Sequence, residues 1–215
     1  MLAGCGSSAP TDTDGSTEPD AGTSEPSASQ DRDTLNVVIP VDIGSLHQWD
    51  TDDTWALNVI CEIVDPLWRI SPVDGSVTGC LAEDWEVSPD FKECKVKLRE
   101  GVKFSNGDLL TAKDVKWTLE EAIDRPWCAR WVNNFEGVEI VDDYNVILRW
   151  SAGDPNFMKY FAQNAMNILP ADYIAEVGEE EYKQNPIGTG PFILDSWTRG
   201  DRIVLKSNKD YFLDA

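Results

Sequence analysis

Histidine is almost missing from this chain: His47 is the only one among 215 residues. Hydrolases built on a Ser–His or Cys–His pair, and zinc centres of the common Cys/His kind, have at most that one imidazole to work with. No two cysteines stand in a CxxC arrangement, so the usual spacing of a structural zinc site is lacking as well. Cationic side chains are scarce, with 18 Lys and Arg against 39 Asp and Glu and a net charge of −21. A nucleic-acid partner calls for the opposite sign, because affinity for a phosphate backbone comes from cations that displace its counterions. No run approaches the roughly 18 apolar residues of a membrane-spanning helix, so attachment to a membrane would have to come from elsewhere.

From Gly6 to Asp33 the chain also lacks every aromatic and branched aliphatic residue and is built mainly of Ser, Thr, Pro, Gly, Ala, Asp and Glu. Such a segment cannot bury enough apolar surface to offset the entropy of ordering and is expected to be a solvated, acidic tether over residues 6–33. Just before it, Leu2-Ala3-Gly4-Cys5 has the small residues and cysteine that end a bacterial lipoprotein signal, which marks residues 1–5 as a signal remnant and Cys5 as the lipidation site. Only four residues precede Cys5, short of the apolar stretch of roughly 7–15 that a full signal carries.

What is present lies in residues 34–215. The chain is 41% hydrophobic and 10% aromatic, enough for a substantial core. Four cysteines remain there (Cys61, Cys80, Cys94 and Cys128), an even number in a chain that reads as exported. Two disulfides are expected, with the three pairings left open. The pattern predicts a strand over residues 35–40 and a helix over 53–64 with Trp55, Val59, Ile60 and Ile63 on one face, capped by Asp53 or Thr54 and stopped by Pro66. Hairpins are predicted over 81–98, turning at Ser88-Pro89-Asp90, over 135–150, turning at Asp142-Asp143, and over 192–207, turning at Gly200-Asp201. Thr111 with Asp114 three residues on caps a helix over 112–123. Short helices opened by Pro155 and Pro170 complete a mixed α+β pattern.

Four blocks, in this order, resemble the family 5 extracellular solute-binding proteins of ABC transporters, the peptide- and nickel-binding group. They are Leu81-Ala82-Glu83-Asp84-Trp85-Glu86-Val87; the stretch from Val96 through Gly101, Phe104 and Asn106-Gly107-Asp108 to Thr111-Ala112-Lys113-Asp114-Val115; Asn185-Pro186-Ile187-Gly188-Thr189-Gly190-Pro191-Phe192; and Asn208-Lys209-Asp210-Tyr211. Gly188-Thr189-Gly190-Pro191 lacks the Lys-Ser/Thr ending of a phosphate cradle and runs into a strand, so it reads as a rigid crossing segment. Trp85 reads as a core residue of its hairpin.

The resemblance implies a periplasmic-binding-protein-like type II fold, of which residues 34–215 are the first lobe with an inserted subdomain over about 55–165 and without the second lobe. It implies a binding protein with no enzymatic activity and no cofactor. Such a protein captures a small solute, a short peptide foremost, for a membrane permease, as a lipid-anchored monomer on the outer face of the cytoplasmic membrane. Residues 41–50 follow the position that faces the ligand cleft in similar proteins, which makes Gly44, Ser45 and Leu46 candidates for ligand contact, with Asn164 near the subdomain junction as another. Alternatives are a nickel chelate, for which His47 is the available imidazole, an oligosaccharide stacking on some of the nine tryptophans, or a surface lipoprotein with no transport role.

Overall fold

The computed structural model describes residues 34–213. Cys5, the signal remnant and the 6–33 tether lie outside the described residues.

The central feature is a four-stranded antiparallel sheet in the order β3-β4-β6-β5, formed by β3 (Ala82–Val87), β4 (Glu93–Leu98), β5 (Phe135–Asp142) and β6 (Asn145–Trp150). Alternation of apolar and polar residues produces it: along β4 the side chains of Cys94, Val96 and Leu98 are buried, and along β6 those of Val146, Leu148 and Trp150. Helix α2 (Ala112–Glu121) covers that inner face with Val115, Thr118 and Leu119, and a single 3-10 turn (Ala122–Asp124) follows it. Two further two-stranded antiparallel sheets are present, β1 (Trp68–Ile70) with β2 (Val77–Gly79), and β7 (Phe192–Thr198) with β8 (Arg202–Ser207).

Helix α1 (Thr54–Ile63) starts where the Asp53 carboxylate accepts from Trp55 N at 2.8 Å. Its buried face is Ala56, Ile60 and Ile63, a step of four and then three, while Trp55 stays 38% exposed. The expected inward stripe is therefore rotated by one residue at its N-terminal end. Helices α3 (Phe157–Phe161), α4 (Ala171–Val177) and α5 (Glu179–Tyr182) are short, and a 3-10 turn (Asn164–Met166) separates the first two. Trp68, Trp150, Phe135, Phe157 and Phe161 form an aromatic cluster of edge-on and tilted pairs, with ring centres 4.4–5.9 Å apart in the closest of them. Trp85 meets Trp68 edge-on at 6.0 Å, the packing role expected of it.

Two expectations are corrected. No strand forms over residues 35–40. The four cysteines form no disulfide and are free thiols. Each sulfur faces a different partner: Cys61 the Asn167 amide, Cys80 the Asp65 carboxylate, Cys94 the Lys95 carbonyl and Cys128 the Ala165 carbonyl. Burial pushes the Cys61 and Cys128 thiols up to about 11 and Cys94 up to about 12, so these sulfurs stay protonated; Cys94 and Cys128 serve as small apolar core groups and Cys61 is half-buried.

Candidate functional site

Two segments that sequence places 117 residues apart meet in one seam. Gln48 donates through Nε2 to the carbonyls of Ala165 (3.2 Å) and Asn167 (2.9 Å), and Trp49 donates its indole N–H to the Ala165 carbonyl (2.9 Å). Asn167 Nδ2 in turn donates to the Asn164 carbonyl at 2.8 Å. Residues 43–49 are thereby pinned against residues 164–167, and Leu46 N donates to the Lys183 carbonyl at 3.1 Å to close the other side.

The structure brings the four candidate contact residues to this seam and gives them different environments. Gly44 and Asn164 are exposed, and no atom lies within 4 Å of the point where a Cβ on Gly44 would sit. Ser45 is 9% exposed and accepts from His47 N at 3.1 Å, a turn-forming bond. Leu46 is 1% exposed and belongs to the hydrophobic core.

His47 is fully buried between Trp49 and Tyr182, whose ring centres each lie 5.3 Å away. Its Nδ1 accepts from Trp49 N at 3.2 Å, which places the proton of the neutral ring on Nε2. Burial lowers its pKa, with Asp50 and Glu179 opposing and Arg125 and Lys183 reinforcing. His47 Nε2 and Gln48 Oε1 are buried without a hydrogen-bond partner among the described residues. An unpaired buried polar atom costs about 1–3 kcal/mol, and sequence gave no sign of either.

Beside the seam, Asp65 anchors a second polar knot. Its buried carboxylate accepts from Thr189 Oγ1 (3.0 Å), from the Arg69 guanidinium and from the Tyr211 hydroxyl (3.4 Å), with Cys80 Sγ at 3.6 Å. Burial pushes the Asp65 carboxyl up, and Arg69 and Thr189 pull against that. Gly188 and Gly190 lie flat against the end of α1: a Cβ on Gly188 would fall 2.1 Å from the Ile63 carbonyl oxygen, and Gly190 N donates to that oxygen at 2.8 Å. Gly188-Thr189-Gly190-Pro191 is therefore a clamp between backbone segments.

One further feature escaped the sequence reading. Trp127, Arg130 and Trp131 gather on the surface next to Tyr160, with Arg130 stacked on the two indoles. Their spacing of three and one was the available signal, once the segment is known to coil.

The model for "Bacterial extracellular solute-binding proteins, family 5 Middle" matches residues 76–215. This chain belongs to that family. Among curated proteins, Di/tripeptide-binding protein 3 of Pseudomonas aeruginosa (strain UCBPP-PA14) is 31% identical over 156 residues, covering 61% of this chain and 29% of that protein. Among solved structures, AgaA from A. tumefaciens R10 in complex with agropinic acid matches with a TM-score of 0.73 and 30% identity over 79% of this chain and 35% of that one. NikZ from Campylobacter jejuni in complex with Ni(L-His) matches with a TM-score of 0.74 and 25% identity over 85% of this chain and 37% of that one. The chain thus spans about a third of the length of these relatives. The mixed α/β fold expected from the four sequence blocks is the fold found.

Proposed function

We propose that this protein is the solute-capturing component of an ABC importer, that its cargo is a short peptide, and that it hands the cargo to a membrane permease. In this reading it is a monomer with no catalytic role, held outside the cell by a lipid on Cys5. Residues 34–215 then correspond to the first lobe of a two-lobed trap, with an inserted subdomain over about 55–165. The four-stranded sheet, from Ala82 to Trp150, lies inside those bounds. The observation that carries the peptide reading is the similarity to a di/tripeptide-binding protein. The seam is compatible with it: Gly44 and Asn164 leave backbone and amide groups at the surface, and main-chain hydrogen bonds accept peptides of varied sequence.

A second reading has one specific support, the 30% identity to a protein solved with agropinic acid. Calorimetry and thermal melts of the full-length gene product against di- and tripeptides separate the two. Peptide binding is expected to raise stability by about 2.7 kcal/mol at a ligand concentration of 100 Kd. No response to any peptide, with a response to agropinic acid, would replace the first reading by the second.

A further inference from the structure

His47 sits within residues 43–49, a strap that has no helix or strand of its own. Its ties to the rest of the chain are single bonds: Leu46 N to the Lys183 carbonyl, the Gln48 and Trp49 side chains to the carbonyls of Ala165 and Asn167, and Arg199 to the Ile43 carbonyl at 3.2 Å. A segment held this way can open locally at less cost than the whole fold. At its centre the imidazole is 0% exposed, walled by the rings of Trp49 and Tyr182.

This seat suits only the neutral ring. Nδ1 already takes the N–H of Trp49 at 3.2 Å, so a proton there would set two donors against each other. Nε2 meets no acceptor among the described residues. The nearby charges offer no free counterion, because each acid is matched: Asp50 by Lys183 at 2.7 Å and Glu179 by Arg125 at 2.5 Å. Lys183 also holds Glu180 at 2.6 Å, and Tyr182 gives its hydroxyl proton to the Ile187 carbonyl at 3.1 Å. No group of three or more His, Cys, Asp or Glu side chains among the described residues could hold a metal ion, so the ring is not reserved for one. Burial accordingly lowers the His47 pKa from 6.5, with Asp50 and Glu179 opposing and Arg125 and Lys183 reinforcing.

We propose that residues 43–49 are an acid-released strap: neutral His47 seats it, and a proton on the imidazole frees it. The proton comes from solvent while the strap is open, and the charged ring does not re-enter the seat. In the open strap the imidazole is hydrated and titrates at its ordinary value near 6.5. Seating is therefore at full strength above that pH. It weakens as the pH falls below, by up to about tenfold per pH unit, until the seated ring itself takes a proton. Gly44 and Ser45 ride on the strap, so the edge of the seam moves with it. In the reading proposed above the protein works outside the cell, where the pH of the surroundings acts on it directly. The test needs no cargo, so failure of the strap leaves the solute-binding reading untouched.

Amide hydrogen exchange of the full-length gene product, corrected for the intrinsic pH dependence of exchange, tests this at about pH 7.5 and about pH 5.5. In the wild type, protection of residues 43–49 should fall on the order of tenfold at the lower pH, while β4 and β6 keep theirs. His47→Asn removes the titration but keeps an oxygen able to accept from Trp49 N two residues on. Its strap should be equally protected at both pH values. The wild-type His47 imidazole resonance, identified by its absence from the His47→Asn spectrum, should titrate below 6.5. Unchanged strap protection in the wild type, or parallel loss in the strap and the sheet, overturns the proposal. So does a His47 that titrates at or above 6.5, or a pH dependence that survives in His47→Asn. If His47→Asn melts early at neutral pH, the wild-type comparison of strap with sheet and the wild-type titration decide between the same outcomes.

Discussion

At Gly190 the backbone passes so close to the end of α1 that a Cβ would sit 2.5 Å from the Ile63 carbonyl carbon and 2.6 Å from the carbonyl oxygens of Glu62 and Ile63. Those are backbone atoms of a packed helix, which have little room to give. Gly190→Ala should therefore force the two segments apart, strain the 2.8 Å bond from Gly190 N to the Ile63 carbonyl and shift Thr189 from Asp65. Overpacking of this kind costs about 1–3 kcal/mol. In a chain of this size that lowers the melting temperature by roughly 2–12 °C, at about 2–4 °C per kcal/mol. Gly44→Ala is the control: with nothing within 4 Å of its Cβ position, it should melt like the wild type. Equal melting temperatures for the two variants would show that the crossing segment moves freely. Thr189 explains why a hydroxyl sits between the two glycines, since its Oγ1 reaches a carboxylate that is otherwise shut off from water.

Between elements, Asp114 ties the start of α2 to the start of α4. Its Oδ2 accepts from Thr111 N (2.9 Å) and Thr111 Oγ1 (3.2 Å), and its Oδ1 from Ala171 N (3.0 Å). Asp114→Ala leaves two buried or half-buried N–H groups unpaired and should cost about 2–3 kcal/mol, a fall of roughly 4–12 °C in melting temperature. Asp114→Asn keeps one acceptor oxygen and should lose less; an alanine variant melting within a degree of the wild type would remove the tie. The capping box was legible because its partners are three residues apart, but Ala171 lies beyond any local pattern. The same divide runs through the whole fold. The hairpins at 82–98, 135–150 and 192–207 were legible from alternation and turn residues, whereas β1 and β2, three residues each, are too short to show a period. Residues 35–40 are rich in branched aliphatic residues as a strand would be, yet strand formation depends on a pairing partner that no local pattern reveals. Cysteine count and compartment pointed to disulfides, but which sulfur faces which neighbour is a tertiary fact. The four family blocks turn out to be a packing code for one place. Cys80 beside the first block, Ser105 in the second, Gly188 to Gly190 in the third, and Asn208 and Tyr211 in the fourth all converge on Asp65 or on the clamp beside it. In the candidate site, position in the chain selected Gly44, Ser45, Leu46 and Asn164, but only tertiary structure separates the exposed pair from Ser45 and the core residue Leu46.

On the scale of the whole molecule, charge bears on how the protein is held where it works. Of the net −21, seven acids against Arg32 place −6 in residues 1–33 and leave −15 on the remainder. An acidic body and an acidic tether gain nothing from anionic lipid headgroups, because surface attraction to a membrane requires clustered Lys and Arg. No helix among the described residues is long and apolar enough to cross a bilayer. In the proposed reading membrane residence comes from covalent lipid, and Cys5 is the residue placed for it. A single acyl chain gives only marginal, reversible binding, so a durable anchor needs more than one chain on that cysteine. Produced in a bacterial host with a complete signal sequence, the protein should partition into the detergent phase of a temperature-induced phase separation. Cys5→Ser should move it to the aqueous phase, and intact mass should differ between the two by the lipid. Raising the salt concentration should leave the wild type in the detergent phase, since acyl chains hold by the hydrophobic effect and electrostatic attachment would be screened. Equal partitioning of both forms, or release of the wild type by salt alone, would rule out the lipid anchor and leave the solute-binding proposal to stand on its own test.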